Sequence, residues 1–395
     1  MEHDDPCTHP RDGNNLLVWS SEISTGPFSL LINSDYDTQT PPPTHLSINY
    51  LNRERPTDKN SQLNGYIQLP GGGLQCVDER ILENQSGIIF ETVSKAAVFL
   101  AKGKNVVGMS LPIKLFEPRS TLERMLDRWS FMPVFMRNMS GMNNLEKFKK
   151  VITMAVAGLY IAPSQEKPFN PLLGETLQAH WPDGTEAYCE HTVHHPPVTH
   201  FCIYAKDFTI DGYLELKGKF KKNSLVGGYK GKVRVKFNSG QIVSYTFPRF
   251  RAGGMIFGPH TVNWVRQMNF EDNSGLTAMI KLGPKRKKTW FTKAVGKIDD
   301  FRGEIQQSGS KVCEITGNWL KGLSFNGIKA WDIKRDLPVF HKFPINPLPS
   351  DWRYREDLIW LAKGYPEIAQ AWKHKIEYRQ RKDRKLRSLR LKHNK

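Results

Sequence analysis

Glu190-His191-Thr192-Val193-His194-His195-Pro196-Pro197-Val198-Thr199-His200 is the densest polar stretch of the chain, with four histidines in ten residues. Histidine changes charge near neutral pH and binds metals or anions, so the cluster admits a metal centre, a structural set or an anion site. The metal reading finds little around it: no HExxH occurs, and no cysteine or carboxylate pair stands at ligand spacing. The prolines demand an extended or turning backbone. On a regular strand His194 and His195 would face opposite ways, whereas a proline bend presents both to one ligand. The residues alone leave these alternatives open.

From Glu186 onward the texture is that of many antiparallel strands. Short apolar runs such as Thr199–Ala205, Gly212–Leu216, Lys232–Phe237, Ile242–Phe247, Leu276–Leu282 and Val312–Ile315 are broken by Gly, Asn, Asp and Ser. No helix of crossover length separates them, which argues against a doubly wound parallel sheet. Before the histidines, Arg119 to Arg137 and Asn143 to Ala162 read as helices. So does Gly87 to Ala101, where Ile89, Val93, Ala96, Ala97 and Leu100 follow helical spacing. That segment is either a core helix or a lid over an apolar ligand. Residues 1–73, with Pro41-Pro42-Pro43 and Gly71-Gly72-Gly73, read as a flexible or loosely docked extension. Asp351 to Leu391 returns to helix, with a break at Gly364-Tyr365-Pro366.

The chain has 395 residues, 39% hydrophobic and 24% charged, enough for a sizeable core. Its net charge is +18, and Ala371 to Lys395 holds eleven Lys or Arg against two acids, a net +9. Half the charge is thus concentrated in one segment. An acidic partner follows, either nucleic acid or an anionic membrane. The longest nearly apolar run, Val151 to Ala162, is too short to span a bilayer, which takes about 20 residues. No secretory signal is read at the start, and five scattered cysteines fit a reducing, cytosolic setting. Nucleophile elbows, P-loops, dinucleotide motifs and RNA-binding signatures are missing, so neither an enzyme nor a cofactor is expected.

Glu190–Pro197 resembles the fingerprint of the oxysterol-binding protein family, Glu-Gln-Val-Ser-His-His-Pro-Pro, with His191, Thr192 and Val193 as departures. Leu111–Ser120, Lys167-Pro-Phe-Asn-Pro-Leu-Leu-Gly-Glu175 and Asp351-Trp-Arg-Tyr-Arg-Glu-Asp357 resemble further family motifs in the family's order. The likeness covers about residues 80 to 392. It implies a mainly β fold: a large, nearly closed antiparallel barrel around an apolar tunnel, with an N-terminal lid and C-terminal helices. The implied layout is a lid region at 74–110, helices and barrel at 111–350, and a basic helical segment at 351–395.

The resemblance also implies a ligand. Phosphatidylinositol 4-phosphate would place its head group among Lys167, Asn170, His194, His195, Lys373, Glu377 and Arg381. The last three, at i, i+4 and i+8, drift only about 40° per step and share a helix face. Ile89, Val93, Ala97, Leu100 and Leu111 would form the lid and tunnel entrance. Arg384, Lys385, Arg387 and Lys392 are the expected bilayer contacts. A second lipid, sterol or phosphatidylserine, would compete for the tunnel. Leu111-Pro112 resembles the start of the phosphatidylserine-type motif, but Ile113-Lys114 departs from its Thr-Phe, which inclines the reading to sterol. The implied protein is a monomeric, cytosolic, peripherally membrane-associated lipid exchanger, active at membrane contact sites. The alternative is a lipid-regulated sensor or scaffold.

Overall fold

Alternation governs the strands. In Glu186–His194 the side chains of Ala187, Cys189 and His191 are buried, while Glu186, Tyr188 and Glu190 are exposed. Leu276–Leu282 repeats the pattern, as period-2 geometry requires of a sheet with one face on a core. The computed structural model describes residue 51 and residues 63–89, 91–92, 110–161, 163–285 and 295–393, the side chains of 391–393 excepted. Of the expected lid and entrance residues, Val93, Ala97 and Leu100 lie outside that set. So does the side chain of Lys392.

The strands join in one 17-stranded antiparallel sheet with flanking helices. One meander runs through Thr176–His180, Glu186–His194, Pro197–Tyr204, Phe208–Phe220 and Ser224–Lys230. A second runs from Gln267–Asp272 to Ile328–Asp332. Phe208–Phe220 is the fork between them. Its first half pairs with Val233–Phe237 and its second with Ser224–Lys230. Helix Asn144–Ala157 begins with a reciprocal cap between Asn143 and Glu146 and buries Phe148, Val151 and Ile152.

Two expectations need correction. The continuous helix from Arg119 to Arg137 is instead a strand, Phe116–Ser120, followed by helix Thr121–Leu126, the 3-10 turn Asp127–Trp129 and helix Met132–Phe135. Phe116–Ser120 pairs in parallel with Lys167–Phe169, and Ser120 then caps the helix by accepting from Leu122 N. Pro118 and a good cap together set the start.

The boundary at residue 73 also falls inside a hairpin, since Tyr66–Gln68 pairs with Leu74–Cys76. Leu74–Cys76 in turn pairs with Thr261–Val265. The triple glycine is its turn. Buried Asp299 accepts from Gly73 N at 2.6 Å and from Gln68 Nε2 at 2.7 Å. A Cβ on Gly72, at φ +87°, would stand 2.7 Å from Ile298 N.

The break before the last helix falls as expected. Glu356–Ala362 ends near Gly364, at φ +86°, and Pro366–His393 follows. No helix among the described residues is long and apolar enough to cross a membrane.

Candidate functional site

The histidine strand owes its shape to a register shift. Residues 191 and 194 are an odd number apart and would face opposite ways on a regular strand. An irregularity between His191 and Val193 resets that parity. His191 Nε2 then lies 3.1 Å from His194 Nδ1, and His191 Nδ1 lies 3.1 Å from Thr199 Oγ1. His195 follows with its ring centre 4.8 Å from that of His194. Three histidines thus stand together, and all three line one cavity of about 750 Å³.

That cavity has the C-terminal helix as its other wall. Lys373, Ile376, Glu377, Gln380, Arg381, Arg384 and Arg387 line it. At about 100° per residue these seven fall in a stripe about 140° wide and, from Lys373 to Arg387, about 21 Å long. Buried Lys373 donates to Glu377 Oε1 at 2.6 Å and to Ser110 Oγ at 3.1 Å, while Ser110 Oγ donates to Glu377 Oε2 at 2.8 Å. Arg381 Nη1 stands 3.6 Å from Glu377 Oε2. The three residues expected to share a helix face are therefore linked in a ladder, with Ser110 joined to it. Gln380 Nε2 is buried without a partner among the described residues.

Lys167 and Asn170 complete the group. Lys167 Nζ donates to Asn170 Oδ1 at 2.6 Å. The Lys167 and Lys373 ammonium groups sit 4.8 and 5.4 Å from the centre of the Phe116 ring. Asn170 borders the large cavity, whereas Lys167 borders a smaller interior one. Behind them Arg355 holds the loop in place. It donates to Asn170 O at 2.7 Å, to Glu175 Oε2 at 3.0 Å and to both oxygens of Asp357. Glu175 also accepts from Ser120 Oγ and Leu172 N. The Lys-Pro-Phe-Asn-Pro-Leu-Leu-Gly-Glu run is thus a loop built on a buried ion network.

The site is cationic and lacks a counter-charge to match. Burial first, then Lys373 and Arg355, lower Lys167 to about 7. Burial, then His195 and Arg384, lower His194 to about 4, and burial with His194 lowers His191 to about 3. His195 is lowered by burial and by Arg384. Each of these groups would gain by the arrival of an anion.

Of the residues expected at the head group, all except Lys167 line the large cavity. Arg384 and Arg387, expected against a bilayer, line it too, at its exposed rim. Lys385 is exposed and off the stripe. Ile89 is buried and, with Leu111, lines the interior cavity of about 230 Å³. Thr121, Leu216 and Tyr229 border both spaces. Sequence reasoning missed His191 and Arg355. The signal for His191 was its place in the histidine cluster; for Arg355 it was the Arg-Glu-Asp run, which does not announce a partner 180 residues away.

A mainly antiparallel β fold with flanking helices is shared with solved ORD domains. The chain aligns with the ORD of Osh3 from Saccharomyces cerevisiae, solved with PI(4)P, at TM-score 0.61 and 22% identity, over 74% of this chain and 84% of that one. It aligns with the Osh1 ORD in complex with cholesterol at TM-score 0.60 and 22% identity, over 73% and 78%. The family model for oxysterol-binding protein matches residues 97–338. Oxysterol-binding protein 9 of Dictyostelium discoideum is 29% identical over 338 residues, 80% of this chain and 79% of that protein. Oxysterol-binding protein homolog 7 of Saccharomyces cerevisiae is 29% identical over 322 residues, covering 73% and 71%. The chain belongs to the oxysterol-binding protein family.

Proposed function

We propose that this protein binds phosphatidylinositol 4-phosphate and a second lipid, sterol or phosphatidylserine, competitively in one tunnel and exchanges them between membranes. The observation that carries this reading is the cavity between His194-His195 and the Lys373–Arg387 stripe, which shares Thr121, Leu216 and Tyr229 with the lining of the interior one. A phosphomonoester carries close to two negative charges near neutral pH. It suits an arginine fork, an ammonium group and two histidines that can take up protons. Asn170 and Glu377 suit inositol hydroxyls. Burying acyl chains inside, at about 0.8 kcal/mol per methylene, offsets the cost of lifting a lipid out of a bilayer. The complexes of the related ORDs with PI(4)P, cholesterol and ergosterol support both halves of the reading.

Two ligands that share one tunnel must displace each other, which makes the process an exchange. The protein would work as a cytosolic monomer that visits membranes peripherally, including contact sites. His194→Ala combined with His195→Ala is expected to abolish phosphatidylinositol 4-phosphate extraction from liposomes while the second lipid still binds. Unchanged extraction would remove the site assignment. Transfer between labelled donor and acceptor liposomes separates exchange from sensing: lipid capture with negligible flux would rule out exchange.

A further inference from the structure

Arg128 lies in the 3-10 turn Asp127–Trp129, is 6% exposed, and lines the interior cavity. Gly158 makes its position possible, since a Cβ there would come within 2.1 Å of the Arg128 carbonyl oxygen. The guanidinium carbon stands 4.7 Å from the centre of the Phe247 ring, 5.1 Å from Tyr229 and 5.3 Å from Trp264. Aromatic rings attract a cation but accept few of its hydrogen bonds. Tyr229 is a hydrogen-bond partner of the guanidinium, and Nε and Nη1 of Arg128 are buried with no acceptor among the described residues.

Arg124, one helical turn earlier and lining the same cavity, is different: its Nε donates to Glu117 Oε1 at 2.6 Å. Arg128 alone keeps three N–H bonds and a full charge without a carboxylate among the described residues. A buried cation without its anion is costly, and a buried donor without an acceptor adds to that cost. A neutral hydroxyl would satisfy one N–H and leave the charge. A lipid oxyanion would satisfy both needs. Tyr229, one wall of the Arg128 cage, also borders the mouth cavity, so the guanidinium stands beside a side chain common to the linings of the two spaces.

We propose that Arg128 is an oxyanion subsite of the tunnel and selects lipids bearing a phosphodiester or carboxylate over neutral sterols. The proposal rests on the tunnel holding lipid, as in the preceding section, and it assigns the second cargo to the anionic class. The test uses the full-length protein and its Arg128→Met and Arg128→Lys variants. Retention of radiolabelled oleate is compared with that of oleyl alcohol. Capture of phosphatidylserine is compared with capture of cholesterol, each from phosphatidylcholine vesicles.

The wild type is expected to hold oleate at least tenfold better than the alcohol and to favour phosphatidylserine over cholesterol. Arg128→Met should bring both ratios close to one, and Arg128→Lys should keep most of the preference. If only the oleate ratio falls, the oxyanion is a carboxylate; if only the phosphatidylserine ratio falls, it is a phosphodiester. The Tm of Arg128→Met should hold or rise, because an unpartnered buried charge is replaced by a side chain of similar volume. Unchanged ratios, or equal binding of cholesterol and phosphatidylserine by the wild type together with equal binding of oleate and its alcohol, would overturn the proposal. So would a Tm lower by several degrees with ratios intact, which would make Arg128 a purely structural residue. No arm uses a phosphoinositide, so failure here is distinct from failure of the head-group assignment.

Discussion

At the scale of single residues, Lys167, His191, His194 and His195 are held below their ordinary proton affinity. Burial, then His195, Arg384, Arg355 and Arg387, push His194 down. Its folded value near 4 lies below the ordinary one near 6.5, so the unfolded chain binds more protons between those values. Stability from this group is therefore present above the ordinary value and is lost as pH falls toward 4. The Tm of the unliganded protein is expected to drop between pH 7 and pH 5; a flat profile would contradict the assignment. Lys167, at about 7, is half-charged at neutral pH. A phosphate would raise both groups, so binding of a short-chain phosphatidylinositol 4-phosphate should take up protons near pH 7. Calorimetry in two buffers of different ionisation enthalpy measures that uptake, and identical heats would exclude it.

Elements contribute by fixing which residues meet. The C-terminal helix turns Arg384 inward to the cavity rim and leaves Lys385 outside the stripe. Arg384→Gln should weaken phosphatidylinositol 4-phosphate extraction about tenfold, as expected for a charge-assisted hydrogen bond, while Lys385→Gln leaves extraction unchanged. Equal losses in the two variants would show that the helix acts as a general basic patch. The loop from Lys167 to Glu175 depends on another element, the turn leading into Glu356–Ala362. Arg355 from that turn is buried among Asp357, Glu175 and Asn170 O. Arg355→Met would strand two buried carboxylates and is expected to cost about 3–5 kcal/mol, read as a lower denaturation midpoint. A midpoint within error of the wild type would show that the loop stands without it.

For the whole molecule, the +18 net charge divides into an inward and an outward share. Cations such as Arg379, Lys382 and Lys385 are exposed and do not line the mouth cavity. Cations near an anionic surface contribute about 1 kcal/mol each, and salt screens them. Association with phosphatidylserine-containing vesicles should fall steeply between 50 and 500 mM salt, roughly the span over which the Debye length shrinks severalfold. Pure phosphatidylcholine vesicles should show little association at either salt. Salt-insensitive binding to both would assign the contact to apolar surface instead.

Local patterns were legible because their causes are local. Short runs broken by Gly, Asn, Asp and Ser marked the strands, and Gly364 with Pro366 marked the last break. Spacing of 373, 377 and 381 placed a charge ladder on one helix face, as found. The histidine motif with its ordered companions pointed to the family. What the chain did not disclose depends on contacts between residues far apart in sequence. The Gly71–Gly73 turn is ordered by Asp299, more than 220 residues away. The shift between His191 and Val193 depends on pairing with the neighbouring strand, and it alone brings His191 against His194. Arg128 reads as one more helix cation until the sheet closes Tyr229, Phe247 and Trp264 around it. The sequence by itself determined most of the elements and the family. Only tertiary packing decided which cations face inward, because burial and pairing are properties of the assembled sheet.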